Sequence, residues 1–224
     1  MTRRGVFGLL VALTAFAAVA GCTLPGFEPR YRFRMTVEVQ TPEGLKTGSS
    51  VMEVVAGKGI AVGDSSGVSS AIRGEAVAVD LLGGPIFVLL TLPDAGGSLQ
   101  GHIREALLDD PSDSPDGVIA DVARLGRGVA GEYQGDLPRD KWPMMVRFRD
   151  IADPKSVERV EPEAIGVTRI RLETTRDPVT MAIEKRLAWL RDGGLTLDPE
   201  AGPTTNPTFP QTVRQRAFST EIER

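Results

Sequence analysis

The sequence predicts an α+β protein in which a mainly antiparallel sheet packs with a few helices in a single domain. Segments with strand patterning come first, helices and strands mix after them, and no internal repeat is present. Of the 224 residues, 41% are hydrophobic. A chain of this size buries roughly 70% of its unfolded surface, which is enough for a core without disulfides. Two small subdomains that divide near Asp94 to Gly101 are the alternative.

The first half of the chain predicts strands. Apolar and polar residues alternate strictly over residues 31–39, which indicates a half-buried strand. A turn over residues 41–44 leads to a returning strand over residues 51–56, and another extended segment covers residues 68–81. The apolar run over residues 86–92 is bounded by turn residues and predicts a strand buried on both faces, although a short buried helix would show the same pattern.

Helices and strands are mixed in the second half. Apolar residues at helical spacing predict a short helix near Ile103 and a second helix that begins at Ser114. Strand alternation returns over residues 144–148 and again over residues 168–172, with one helical turn after Asp153 between them.

A last helix is predicted from Asp177, a suitable N-cap that precedes Pro178, to the glycine stop at Gly193. Four apolar residues share one face of it: Val179, Ile183, Leu187 and Leu190. The proline-rich tail beyond it has no helical period. It either wraps the domain through Phe209 and Phe218 or is mobile.

Composition and charge exclude several classes of protein. The apolar fraction is too high for a disordered chain, and one Cys and one His are too few for a disulfide scaffold, a zinc site or a histidine-based metal centre. The formal charge of −4 gives no global attraction to nucleic acid. We expect no cofactor and no nucleic-acid partner.

One motif resembles a nucleophilic serine. Gly63, Ser65 and Gly67 match G-x-S-x-G, in which the glycines allow a sharp turn between a strand and a helix. The residues after Gly67 are typical of a strand instead, and the general base would have to be His102, the only histidine. A flexible hairpin loop is the simpler interpretation, and we predict no catalytic residue.

An acidic series could offer oxygen ligands to calcium. It consists of Asp109, Asp110, Asp113 and Asp116. It lacks the alternation and the trailing glutamate of an EF-hand loop. A solvated loop that caps the next helix through Ser114 is the simpler interpretation.

Arginines form a distinctive pattern in three predicted strands. Arg-x-Arg pairs occur as Arg32 and Arg34, Arg147 and Arg149, and Arg169 and Arg171. Strand alternation places both arginines of each pair opposite the core. If the three strands are neighbours, six guanidinium groups form a basic stripe for phosphate, carboxylate or glycan-acid groups. The alternative is an exposed polar face, on which the arginines pair with Glu38, Glu173 and nearby acids.

The first 21 residues have the layout of an export signal, in which two arginines precede a charge-free apolar stretch. The sequence Val19-Ala20-Gly21-Cys22 resembles the lipobox of bacterial lipoproteins. The resemblance implies that Cys22 receives acyl chains, palmitate among them, and becomes the new N-terminus. A plain signal peptide with an incidental cysteine and a retained signal anchor are the alternatives.

The lipobox resemblance also implies a location. Thr23 follows the cysteine where an aspartate would signal inner-membrane retention, so the resemblance favours the outer membrane, facing the periplasm, with the inner membrane as the alternative. The predicted divisions are a signal peptide (1–21), a lipidated N-terminus and tether (22–30), a globular domain (31–194) and a proline-rich segment (195–224).

We therefore expect a lipid-anchored cell-envelope protein that acts as a binding or assembly module without catalysis. It is similar to outer-membrane and periplasmic lipoproteins of proteobacteria, a similarity that implies no activity. Its partners would be the membrane, through lipid on Cys22, and an envelope protein or an anionic glycan or lipid. The alternatives are a cell-wall or glycan hydrolase that uses acidic residues, and an accessory subunit of an envelope complex.

Overall fold

The alternating sequence after residue 30 forms the central strand of a five-stranded antiparallel sheet. The computed structural model describes residues 28–58, 67–94, 98–199 and 205–221. Strand β1 (Arg30–Thr41) buries every second side chain, as predicted, and turns at Pro42 and Glu43 into β2 (Gly44–Lys58). The sheet continues with β3 (Val68–Arg73), which pairs with β2.

Two strands from the second half of the chain complete this sheet. They are β6 (Gln134–Asp136) and β9 (Val167–Thr174), and the strand order is β3-β2-β1-β9-β6. Because β9 pairs with β1 across the predicted division at residues 94–101, the alternative of two subdomains is wrong. The molecule is one α+β domain with antiparallel sheets, as predicted.

A second antiparallel sheet contains four short strands in the order β4-β5-β7-β8. These strands are β4 (Val77–Val79), β5 (Ile86–Val88), β7 (Met145–Phe148) and β8 (Val157–Arg159). The apolar run over residues 86–92 supplies β5, and its side chains alternate between two hydrophobic cores. The prediction of a strand buried on both faces is confirmed.

The first core lies between the five-stranded sheet, two helices and one face of the second sheet. It includes Phe33 and Met35 of β1, Val88 of β5 and Leu172 of β9, all with no more than 1% of their surface exposed. The second core lies on the opposite face of the second sheet. There Phe87 and Val146 pack against Phe218 and other side chains from the C-terminal part of the chain.

Both predicted helices of the middle region form. Helix α1 (Leu99–Leu107) begins at Ser98, and α2 (Pro115–Arg127) begins at Ser114, whose hydroxyl accepts a hydrogen bond from the Gly117 amide. Asp153 caps a single 3-10 turn over Pro154–Ser156, as predicted. Further 3-10 turns occur at Arg139–Lys141 and Gln215–Ala217, and a one-turn helix α3 occurs at Phe209–Thr212.

The predicted helix from Asp177 to Gly193 is wrong. The chain forms two short 3-10 turns there, Ile183–Lys185 and Ala188–Asp192. Asp177 does not cap a helix, because its carboxylate pairs with Arg34 of β1. The backbone of Thr180 donates to the carbonyl of Val51. Contacts to distant strands therefore replace the local hydrogen bonds that a helix would need.

The buried Glu75 holds the start of the first 3-10 turn. One carboxylate oxygen accepts hydrogen bonds from the amides of Ala182 and Ile183, at 2.6 and 2.8 Å. Three of the four apolar residues that suggested a helical face, Ile183, Leu187 and Leu190, still reach the second core.

The described part of the C-terminal tail packs into the fold. Phe218 is fully buried, and its backbone carbonyl accepts from the amide of Ala76, at 2.8 Å. The Leu90 amide donates to Ala217. Of the two alternatives for the tail, the structure shows that it wraps the domain, through Phe218 above all.

Candidate functional site

A cavity of about 700 Å³ lies between the outward side of α2 and the N-terminal end of β1. One wall consists of Ile119, Ala120 and Ala123 of α2, and the opposite wall includes Arg32 of β1 and Glu53 of β2. We call this cavity the α2 groove. Its volume is within the range of small-molecule binding sites, about 300–1,000 Å³.

Helix α2 has two apolar faces. Val122 and Leu125 point into the first core and are almost fully buried. Ile119 and Ala123, one helical turn apart, line the groove instead. The glycine at position 126 lets the helix lie against β1, since a Cβ there would collide with the carbonyl oxygen of Arg30. The groove therefore has an apolar helical wall next to the start of the sheet.

Positive charge is concentrated in the groove. Among the described residues that line it, four are arginines and two are carboxylates: Arg30, Arg32, Arg127, Arg176, Glu53 and Asp116. The formal excess of two positive charges contrasts with the −4 of the whole chain. An anion is therefore favoured here although the protein as a whole repels it.

The buried carboxylate of Glu53 lies close to three arginines, two of which line the groove. Glu53, whose side chain is 6% exposed, accepts a hydrogen bond from Arg32 at 3.2 Å. Arg30 and Arg73 lie 3.9 and 3.7 Å from its other oxygen. Arg73 also pairs with Glu221 at 3.2 Å. Within the groove, the one charge of Glu53 thus faces the two guanidinium groups of Arg30 and Arg32.

Arg176 is held by backbone carbonyls at the end of α2. Its guanidinium donates to the carbonyl oxygens of Gly126 and Gly128. The carbonyls at a helix C-terminus carry partial negative charge, which fixes the guanidinium without neutralising it as a carboxylate would. Arg127 adds a second cation at the same end of the helix.

A buried polar cluster supports the groove from below. Arg104 of α1 forms an ion pair with Asp121 of α2 at 3.4 Å, and Asp121 also accepts from the Ser112 amide. The Tyr31 ring lines the groove, and its hydroxyl is buried with no hydrogen-bond partner among the described residues. Burial raises the pKa of the Tyr31 phenol far above its ordinary value, and the Arg104 charge offsets part of that rise. The phenol is therefore neutral.

The six predicted arginines do not form one stripe. Strands β1 and β9 are neighbours, but their register places Arg34 opposite Glu173, Arg171 opposite Thr36 and Arg169 opposite Glu38. Strand β7, which carries the third pair, belongs to the other sheet. There it pairs with β5, which is distant in sequence, and with β8, which follows it.

Acidic neighbours account for most of these arginines. Arg34 pairs with Asp177, Arg169 with Asp136 and Glu38, and Arg147 and Arg149 share Glu158. The hydrogen bond that Arg169 donates to the Asp136 carboxylate raises the pKa of Arg169. Arg171 donates to Gln134. Of the six predicted residues, only Arg32 lines the α2 groove.

The other candidates from the sequence form no site in the described part of the chain. The Nδ1 atom of His102 lies 3.1 Å from a carboxylate oxygen of Glu105. In the acidic series, Asp113 lies 3.9 Å from Arg104 and Asp116 pairs with Lys58 at 3.3 Å. No group of three or more potential metal ligands occurs among the described residues. Cys22 and residues 63–66 of the G-x-S-x-G motif lie outside them.

Comparisons with models of known protein families, with curated proteins and with solved structures find no match to this chain. Within the residues that the structure describes, no helix is both long enough and apolar enough to cross a bilayer.

Proposed function

We propose that this chain is a lipid-anchored cell-envelope protein and that it works as a non-catalytic binding module through the α2 groove. The observation that carries the proposal is the position of the groove beside the start of the described chain. Pro29 lines the groove, and its carbonyl accepts a hydrogen bond from the Ala56 amide at 3.0 Å. The last two residues of the proposed tether, Pro29 and Arg30, therefore lie at the groove.

Covalent geometry limits the distance from the groove to the proposed lipid. Cys22 precedes Pro29 by seven residues, which span at most about 25 Å when fully extended. The groove would therefore stay near the bilayer surface once Cys22 carries its acyl chains. The outer membrane, facing the periplasm, is the proposed location, and the inner membrane remains the alternative.

The chemistry of the groove supports binding over hydrolysis. A glycosidase needs two carboxylates free to act as acid and base or nucleophile. The two carboxylates in the α2 groove both have cationic partners: Glu53 pairs with Arg32, and Asp116 pairs with Lys58. An apolar wall beside arginines is instead typical of a ligand site. A tail that only a partner orders would indicate the accessory-subunit alternative, whereas Val213, Ala217 and Phe218 of the tail are buried in their own domain.

Mass spectrometry of the mature protein tests the anchor. The full gene is expressed in a Gram-negative host, and membranes are digested with trypsin. We expect the N-terminal peptide Cys22–Arg30 to carry acyl mass on the cysteine. The Cys22→Ser variant should lose both the acyl mass and processing. A peptide that runs through an intact leader with an unmodified Cys22 would reject the lipoprotein assignment.

A further inference from the structure

The α2 groove changes from apolar to cationic along the axis of its helix. Ile119, Ala123 and Arg127 follow one another at intervals of four residues on the groove side of α2. At a rise of 1.5 Å per residue, this row extends about 12 Å. Arg176 lies at the same end as Arg127, because it is bound to the carbonyls of Gly126 and Gly128.

The apolar end is open to a ligand. Ile119 and Ala123 of the apolar row are only partly buried, and Val129, next to the cationic end, lines the groove with 67% of its surface exposed. Ala120 is exposed as well, so the helical wall presents apolar surface to the cavity. A linear hydrocarbon chain that lies along this wall would remove that surface from water, at a favourable free energy per methylene.

The cationic end selects a charged head group. Guanidinium groups bind carboxylates through two parallel hydrogen bonds. Arg176 is held by carbonyl oxygens alone in its observed hydrogen bonds, so its charge is available to an incoming anion. We infer that the α2 groove binds a single-chain lipid carboxylate, with its hydrocarbon chain along Ile119 and Ala123 and its head group at Arg127 and Arg176. This inference rests on the proposed binding role and adds the class of ligand.

Photo-crosslinking in membranes tests this inference on the full mature chain. The probe is hexadecanoate that carries a diazirine in its chain and an alkyne tag. After illumination and trypsin digestion, we expect label on the peptides Glu105–Arg124 and Gly128–Arg139, which contain the helical wall and Val129. Excess hexadecanoate should suppress this label, whereas hexadecanol, with the same chain and no charge, should not. Label spread evenly over the chain, or equal competition by the alcohol, would overturn the inference.

Variants locate the two halves of the site. The double charge reversal Arg127→Glu with Arg176→Glu should lower groove labelling about tenfold, since it replaces attraction by repulsion at the head group. The matched control is Arg171→Glu, on the outer face of the five-stranded sheet, which should label like the wild type. Equal labelling of all three proteins would contradict the assigned head-group site.

A steric variant tests the same site if the charge variant fails to fold. Ala120→Trp places a large side chain into the groove from an exposed position, so the fold should survive while labelling falls about tenfold. Ala152→Trp, at an exposed position outside the groove, is its control. Circular dichroism confirms that each variant is folded. Unchanged labelling of folded Ala120→Trp would also overturn the inference.

Separate measurements test the proposed anchor and the proposed ligand site. Acyl mass on Cys22 reports on the anchor alone, and groove labelling reports on the ligand alone. If the probe labels the groove of the Cys22→Ser variant but not that of the lipidated protein, the chain's own acyl group fills the groove. That result would support the anchor and reject an external lipid carboxylate.

Discussion

The two hydrophobic cores are built from different kinds of secondary structure. The first core joins strands and helices whose own sequences alternate with period 2 or 3.6, such as β1 and α2. The second core joins one face of the second sheet to residues 183–199 and 205–218, where the described elements are short 3-10 turns and the one-turn helix α3. We call this C-terminal part of the second core the cover.

The two cores also differ in where their backbone hydrogen bonds are made. In the first core, strands pair with neighbouring strands and the helices form their own internal hydrogen bonds. The cover is attached by individual bonds between distant parts of the chain, such as Ala76 to Phe218 and Leu90 to Ala217, both at 2.8 Å. Because these bonds form no continuous ladder, we expect the cover to open locally more readily than the first core.

Loss of the central aromatic ring of the cover should have the largest effect. Phe218 is fully buried and contacts the rings of Phe87, Phe148 and Trp189, with centroids 5.6–6.0 Å away. We expect Phe218→Ala to lower the free energy of unfolding by about 3–5 kcal/mol, measured by urea denaturation. Hydrogen exchange should show lost protection in the cover before β1.

The control is Leu195→Ala, at a position that is 79% exposed. It should change the free energy of unfolding by less than about 0.5 kcal/mol. Equal loss of protection in β1 and in the cover of Phe218→Ala would show that the two cores unfold together, contrary to the comparison.

The next largest effect should come from the attachment at Glu75. Its buried carboxylate is the acceptor for two amides at the start of the cover. Glu75→Ala would leave both amides without that acceptor, so we expect a loss of about 2–3 kcal/mol in thermal or urea denaturation. Glu75→Gln keeps an acceptor oxygen and should lose less. Equal losses for both variants would mean that Glu75 acts through packing and not through these hydrogen bonds.

The contact between the two sheets should tolerate no added methyl group. Gly48 of β2 lies so close to the backbone of Ala78 in β4 that a Cβ would collide with its carbonyl oxygen. We expect Gly48→Ala to cost about 1–3 kcal/mol, because the sheets must move apart. Gly83, with open space around it, is the matched control. A neutral Gly48→Ala in denaturation experiments would show that the first core is more deformable than its regular elements suggest.

The sequence predicts the first core better than the second, for a physical reason. Alternation over residues 31–39 and the serine cap of α2 are local signals, and local hydrogen bonds follow them. The segment after Asp177 carries an equally good local signal for a helix, yet it forms 3-10 turns. Arg34, Val51 and Glu75 bind it from positions far away in sequence, and no local pattern contains that information.

The candidate site was only partly predictable. The arginine pairs correctly indicated an outward polar face, but the assignment of strands to sheets separates Arg147 from Arg32. The α2 groove was missed. The second apolar stripe of α2, with Ile119 and Ala123, is visible in the sequence and could have signalled it. The position of Arg176 at the end of that helix could not, because it depends on where β9 ends.

The smallest effect concerns the charged attachment between cover and sheet. The Arg186 guanidinium donates to both carboxylate oxygens of Asp80, at 2.5 and 2.8 Å, and this hydrogen bonding lowers the pKa of Asp80. A carboxyl whose pKa is lower in the folded state adds stability above its unfolded pKa, near 3.8. That stability is lost as the pH falls through the still lower folded pKa.

Because the Asp80 side chain is 68% exposed, we expect Asp80→Asn to cost less than about 1 kcal/mol at pH 7. Urea denaturation between pH 7 and pH 2.5 should show the wild type and the variant converging at the acid end. In an Arg186→Gln background, Asp80→Asn should have no pH-dependent effect on the free energy of unfolding. If the difference in that free energy between the wild type and Asp80→Asn stayed constant with pH, packing and not charge would join the cover to the sheet here.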